Sequence, residues 1–180
     1  MHEYMTTYTK KHFTVLDPQI DDIDIFDIAH ALSMIARANG HFSQFYSVAQ
    51  HSVSCALEAF EREYSVKVCL ACLLHDASEA YMGDLIRPLK NELPSYLEAE
   101  AILQKMIYRK YLGEDMMADE MAQVRAVDDA MLFHEFKCFM GEELDIPEHA
   151  LMTHPTFYTR SFSDAEEKFL VYFHKLQALL

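Results

Sequence analysis

Apolar residues recur three and four positions apart through most of this chain, the spacing that lays them along one face of an α-helix. Ile25, Ile28, Ala29, Leu32, Ile35 and Ala36 predict a first helix over 23–38, with Asn39-Gly40 as its stop. Ser47 and Gln50 are spaced as a capping box and open a second helix through His51, Val53 and Leu57 to about Glu63. Ser65 caps a third, whose apolar run 68–74 leads into His75-Asp76-Ala77-Ser78-Glu79 before Gly83 and Pro88 break it; residues 82–94 then read as a loop. Leu97, Ile102, Leu103, Met106, Ile107 and Leu112 mark a fourth helix, and Val124, Val127, Met131, Leu132 and Phe136 a fifth, with Gly113 and Gly141 near their ends. Ser163-Asp164-Ala165-Glu166 reads as a capping box for a final helix striped by Phe169, Leu170, Phe173, Leu176 and Leu180. Residues 142–162 look irregular, and the loose alternation over 4–16 before Asp17-Pro18 predicts an extended arm or small hairpin. With only 4 Gly and 5 Pro there are few places to turn, which suits a few long helices better than many short strands. The expectation is one all-α domain over residues 1–180, a bundle of about six main helices.

Charge narrows the partners. The formal net charge is −14, from 29 acidic and 15 basic side chains, so the overall field repels a nucleic-acid polymer. It would repel a mononucleotide too, so a nucleotide site here needs local positive charge from a metal ion and a few Arg or Lys residues. The polar stretch 1–11 has no signal-peptide character, and the longest apolar run, 68–74, is far too short to span a bilayer; a cytoplasmic protein without membrane contact is expected. Cys69 and Cys72 spell C-x-x-C, but no second such pair completes a zinc site, and within this run they read as small apolar filler.

A His-Asp pair at the end of an apolar helix is unusual, because an ionised Asp is rarely buried unless something positive holds it. His75 offers an imidazole nitrogen and Asp76 a carboxylate oxygen, a mixed set that suits Mn, Fe, Co or Zn better than Mg or Ca. His51 opens the preceding helix, and Asp128 lies within the apolar stretch 124–136, where a carboxylate again needs a partner. Taken singly, each has a plain alternative: His51 as a hydrogen-bonded surface residue, Asp76 as a cap or ion-pair partner, and Asp129 in place of Asp128 as the inward-facing group. Tyr81, Phe42, Phe45 and Tyr46 either line a base pocket or pack in the core, and core packing is the simpler reading.

The order H…HD…D, with His51, His75-Asp76 and Asp128, resembles the HD-domain superfamily of metal-dependent phosphohydrolases. The segments Phe45-Tyr46-Ser47-Val48-Ala49-Gln50-His51-Ser52 and Leu74-His75-Asp76-Ala77-Ser78-Glu79-Ala80-Tyr81-Met82-Gly83-Asp84, then Pro88-Leu89-Lys90, resemble its bacterial 5′-deoxynucleotidase-like branch, which includes phage dATP triphosphohydrolases. The similarity covers roughly residues 20–140. It implies an HD-type helical bundle in which His51, His75, Asp76 and Asp128 hold a divalent ion (Mn, Co, Fe, Zn or Mg), with Asp128 matched by V-R-x-x-D followed by Leu132 and Glu135. It implies Glu79 as the catalytic carboxylate, Asp84 as a residue positioning the nucleotide, Arg37 and Lys90 as phosphate contacts, and His41 as a further one. The function expected is that of a 5′-nucleotidase on deoxynucleoside monophosphates, with a dNTP triphosphohydrolase as the alternative and a non-catalytic nucleotide sensor as the alternative of another class. A homo-oligomer, possibly a dimer, is the expected assembly, since such proteins are commonly oligomeric and the fourth and last helices offer apolar surface.

Overall fold

A computed structural model describes residues 4–145 and 150–180. Among them the chain is all-α, with a single two-stranded sheet. The strands β1 (Met5–Thr6) and β2 (His12–Phe13) pair antiparallel, so the N-terminal arm is a hairpin, and Phe13 is its buried anchor. The helices are α1 (Ile25–Met34), α2 (Val48–Glu61), α3 (Val66–Leu74), α4 (Glu79–Met82), α5 (Arg87–Lys90), α6 (Pro94–Leu112), α7 (Ala118–Met140) and α8 (Phe162–Gln177). Six are long and two are single turns, the latter lying in the stretch the sequence reads as helix end and loop.

The apolar run 68–74 explains the layout: every residue in it is buried, so α3 needs cover on all sides. It takes α2 as an antiparallel partner, α8 and α7 on its flanks, and α6 beyond. α8 also closes over α1, burying Phe169, Phe173 and Leu176, while Leu180 from the expected stripe stays exposed. Cys69 and Cys72 are buried free thiols, in keeping with their reading as filler, and burial pushes the Cys69 thiol up to about 11. No helix among the described residues is long and apolar enough to cross a membrane.

Three helix ends differ from the sequence reading, and two of them shape the site. The first helix stops at Met34, before Ala38, because Ile35 and Ala36 turn extended and Ala36 bridges Ser47. Arg37 N–H donates to the Tyr46 carbonyl at 2.9 Å and Val48 N–H to the Ile35 carbonyl at 3.0 Å, closing a loop that sets Arg37 beside the start of α2. Ala38 and Asn39 follow with φ of 51°, a left-handed conformation that is costly for Ala.

The third helix does not run through to Glu79. At its end, Gln104 of α6 inserts its amide: Nε2 donates to the Leu74 carbonyl at 2.7 Å, and Oε1 accepts from Ser78 N–H at 3.2 Å. These are the two groups that an uninterrupted helix would join to each other. The chain tightens into three-residue turns instead, with Ala77, Glu79 and Tyr81 donating to Leu74, Asp76 and Ser78. The last helix is capped by Ser161, which accepts from Asp164 N–H, two residues ahead of the expected Ser163.

The segment read as irregular, 142–162, is irregular where described up to its last residue, which opens α8; its residues 146–149 lie outside the described residues. Its later part is fastened to α2. Glu58 accepts from the backbone N–H groups of Met152 and Thr153 and from the Thr153 hydroxyl, and Gln50 Nε2 donates to the Tyr158 carbonyl.

Candidate metal centre

The Ser47–Gln50 capping box forms as the sequence predicts and starts α2 so that His51 falls in its first turn. Because α2 and α3 are antiparallel, the start of one lies beside the end of the other, which brings His51 to His75. On α7, Val124, Val127 and Met131 face the core, and Asp128 shares that inward side. The four residues matched to the ligand pattern therefore meet at one point.

Their atoms are close. His51 Nε2 lies 3.2 Å from His75 Nε2, 3.1 Å from Asp128 Oδ1 and 3.8 Å from Asp76 Oδ2. His75 Nε2 lies 3.2 Å from Asp76 Oδ2 and 3.6 Å from Asp128 Oδ1. Ligands bound at about 2.1 Å to one ion stand roughly 3.0–3.4 Å apart at angles between octahedral and tetrahedral, so the spacing fits a shared cation with little adjustment. The outer ring nitrogens are fixed: Nδ1 of His51 sits 2.7 Å from Glu135 Oε1, and Nδ1 of His75 sits 2.7 Å from the Cys72 carbonyl. Such partners turn the Nε2 atoms inward, the arrangement usual around metal-binding histidines.

Cys55, one turn beyond His51 on α2, brings its sulfur to 3.5 Å from His51 Nε2; His51, Cys55 and His75 form a group that could hold a metal ion. Burial first, and the Asp128 charge next, push the Cys55 thiol well above its ordinary value. A thiol must lose its proton to bind a metal, which burial opposes here, whereas Asp76 and Asp128 are held ionised and offer oxygen donors beside the two imidazoles.

The neighbouring cations and histidines offset the buried carboxylates in part. Burial works against ionising Asp76, but His75 and Arg37 outweigh it and hold the carboxyl well below its usual range. Burial likewise opposes Asp128, and hydrogen bonds from His51 and His75 pull it well down. Arg37 reaches Asp76 and Glu135 with its two terminal nitrogens, each at 3.4 Å, while its Nε is buried without a partner among the described residues. Asp129 points outward and pairs with Arg87 at 3.1 Å, so Asp128 is the inward member of the pair.

Glu79 is buried beside the cluster, with Oε1 3.7 Å from Lys90 Nζ and Oε2 lacking any partner among the described residues. Burial first, then the Asp76 and Asp84 charges, raise its carboxyl well above the ordinary value. In three-residue turns, positions i and i+3 eclipse, so Asp76 is the residue aligned with Glu79, rather than His75 as an unbroken helix implies. Asp84 is half-buried and feels Arg37, Asp76, Lys90 and His51; burial is the main cause that raises its pKa. Lys90 is held by Glu100 at 2.7 Å. His41 is exposed, and its side chain makes no hydrogen bond or ion pair among the described residues. Phe42, Tyr46 and Tyr81 are buried in core packing, whereas Phe45 is partly exposed.

Sequence reasoning gave no role to Glu135, Cys55 or Arg87. Glu135 lies seven residues, two helical turns, beyond Asp128, and Cys55 lies four beyond His51; that shared-face spacing was the available signal. Arg87, with one nitrogen 3.4 Å from Asp128 Oδ2, comes from a separate short helix, and no local pattern announces it.

No family model matches the chain. It is 43% identical over 108 residues, 60% of its length, to the uncharacterized protein YfdR of Escherichia coli K12, covering 58% of that protein. It is 37% identical over 107 residues to an uncharacterized protein of Rhodobacter capsulatus, covering 56% of this chain and 54% of that one. The chain thus matches a little over half the length of these curated relatives.

Proposed function

We propose that this chain is an HD-domain metal-dependent phosphohydrolase that cleaves the 5′ ester of a deoxynucleoside monophosphate, releasing orthophosphate and the nucleoside. The observation that carries the reading is the meeting of two inward Nε2 atoms and two carboxylates beside a buried, partnerless Glu79 oxygen. His51, His75, Asp76 and Asp128 would hold the ion. A divalent cation there supplies Lewis acidity to a phosphoryl oxygen and eases deprotonation of water.

The remaining steps belong to the protein. Glu79, whose carboxyl holds its proton more tightly than usual, is suited to exchange protons with the attacking water and the departing 5′ oxygen. Arg37 offers a planar fork to the phosphate, releasing Asp76 and Glu135 in exchange, and Lys90 offers a point charge beside Glu79. These cations provide the local positive charge that the −14 background makes necessary. Asp84, with no hydrogen-bond partner among the described residues, is free to accept from a sugar hydroxyl.

Arg87 favours a second reading, hydrolysis of a dNTP to nucleoside and triphosphate. Its side chain is half-exposed at the edge of the cluster and adds a third cation for further phosphates. Product analysis separates the two: metal-stripped protein, restored singly with Mn, Co or Mg, is incubated with each deoxynucleoside mono- and triphosphate. Orthophosphate from monophosphates is expected. Intact triphosphate from a dNTP replaces the first reading with the second, and turnover of neither refutes both in favour of a nucleotide sensor.

A further inference from the structure

A cleft of about 220 Å³ opens between α2, α8 and the segment 153–160. It does not use the residues of the metal centre. Its α2 wall is the stripe Gln50, Val53, Ser54 and Leu57, which lies roughly a third of a turn round the helix from His51 and Cys55. About one residue in six of this chain is acidic, yet no Asp or Glu is among the residues lining the cleft. Arg160 and Lys168 are, and neither makes an ion pair among the described residues. Arg160 stacks over the Tyr158 ring, 4.3 Å from its centroid, which orients the guanidinium without neutralising it.

The wall that carries Arg160 is fixed in place. Glu58 fastens Met152 and Thr153, Gln50 holds the Tyr158 carbonyl, and the Thr159 hydroxyl donates to Gln44. Tyr46 and Ser54 share one hydrogen bond at 3.3 Å between two hydroxyls, which leaves one O–H proton available to another acceptor. Cations without counter-ions among the described residues, a spare hydroxyl donor and a preformed wall together call for an anion. The volume lies below the roughly 300–1,000 Å³ of sites for larger ligands, so the anion is small.

We propose that this cleft is a second, non-catalytic site for a phosphate group, held by Arg160 and Lys168 and by the Tyr46–Ser54 hydroxyl pair. The phosphate comes either from free orthophosphate or from a nucleoside monophosphate whose sugar and base project outward. Binding there does not depend on hydrolysis, so the test uses metal-stripped full-length protein. Orthophosphate and dAMP are titrated separately by calorimetry at low salt, where charge–charge contacts are least screened.

The double variant Arg160→Gln/Lys168→Gln is expected to weaken binding at least about tenfold, the scale of losing charge-assisted hydrogen bonds. The pair Arg37→Gln/Lys90→Gln removes phosphate contacts of the proposed catalytic site and is expected to leave the component of binding that depends on Arg160 and Lys168 unchanged. Lys168→Glu, a single change at an exposed position, should weaken binding in the same direction and guards against a folding defect in the double variant. A cleft-dependent loss for orthophosphate identifies a free-phosphate site, and a loss for dAMP alone identifies a nucleotide's phosphate; both support the proposal. It is overturned if neither ligand binds the stripped protein, or if binding survives the cleft substitutions intact.

Discussion

A buried carboxylate oxygen without a donor is costly, and Glu79 keeps one beside the cluster among the described residues. Such a group persists where chemistry uses it, so Glu79→Gln, which preserves shape and removes proton transfer, should cut kcat by about 10²–10⁴-fold while metal content stays unchanged. Unaltered turnover in that variant removes Glu79 from the mechanism. Glu135 acts one step further out, holding His51 Nδ1 at 2.7 Å and a terminal nitrogen of Arg37. Glu135→Ala should weaken metal affinity about 10–100-fold, read by competition with a chelator of known strength. The gathering of His51, His75, Asp76 and Asp128 was legible because their order in the chain resembles the H…HD…D pattern of the HD-domain proteins. Glu135 was not, since a buried Glu looks like any helical Glu until its partner on another helix is known.

The interruption after α3 is the most consequential element-level departure from the sequence reading. Gln104 comes from α6, and no pattern within 68–79 could reveal that an amide from elsewhere occupies the Leu74 carbonyl and the Ser78 N–H. Gln104→Leu leaves Ser78 N–H without its partner, and the Leu74 carbonyl with Ala77 N–H alone, unless the helix reforms, and either outcome moves Glu79 relative to Asp76. A fall in kcat with little change in KM is expected, with a stability loss of about 1–3 kcal/mol by denaturant titration; wild-type values for both would show that the inserted amide is incidental.

The Glu58 anchor gives a pH signature. Burial raises its carboxyl, but the hydrogen bonds from Thr153, Met152 and Arg62 prevail and lower it below the ordinary value near 4.5. Its stabilising effect is therefore complete above the unfolded-state pKa and is lost as the pH falls through the lower folded-state value. Glu58→Gln should flatten the decline of Tm below about pH 4.5 relative to the wild type, and parallel Tm curves would contradict this. The helices themselves were legible because period and capping residues are local signals; the strap over 150–158 was not, because its bonds all reach to α2.

Across the molecule, burial of the 68–74 run sets the fold, and the charge sets its chemistry. A chain of net charge −14 that gathers Asp76, Asp128, Glu135 and Glu79 at one point carries electrostatic strain that Arg37 and Lys90 only partly relieve. A divalent ion held there would relieve more of it and, binding only the folded state, would add about 2.7 kcal/mol at a hundred times Kd. For a protein of this size that corresponds to roughly 5–11 °C in Tm, measurable by thermal scans with and without metal. The bundle was readable as a whole because the long helices carry an apolar period or, in α3, a continuous apolar run, whereas the second cleft depends on how α2, α8 and a patternless segment happen to meet. The most direct test of the metal centre is a calorimetric titration of metal-stripped protein with Mn(II), in the wild type and in Asp128→Ala. One ion bound per chain, lost in a variant whose circular dichroism is unchanged, is the expected result; no binding, or binding that Asp128→Ala leaves untouched, would contradict it.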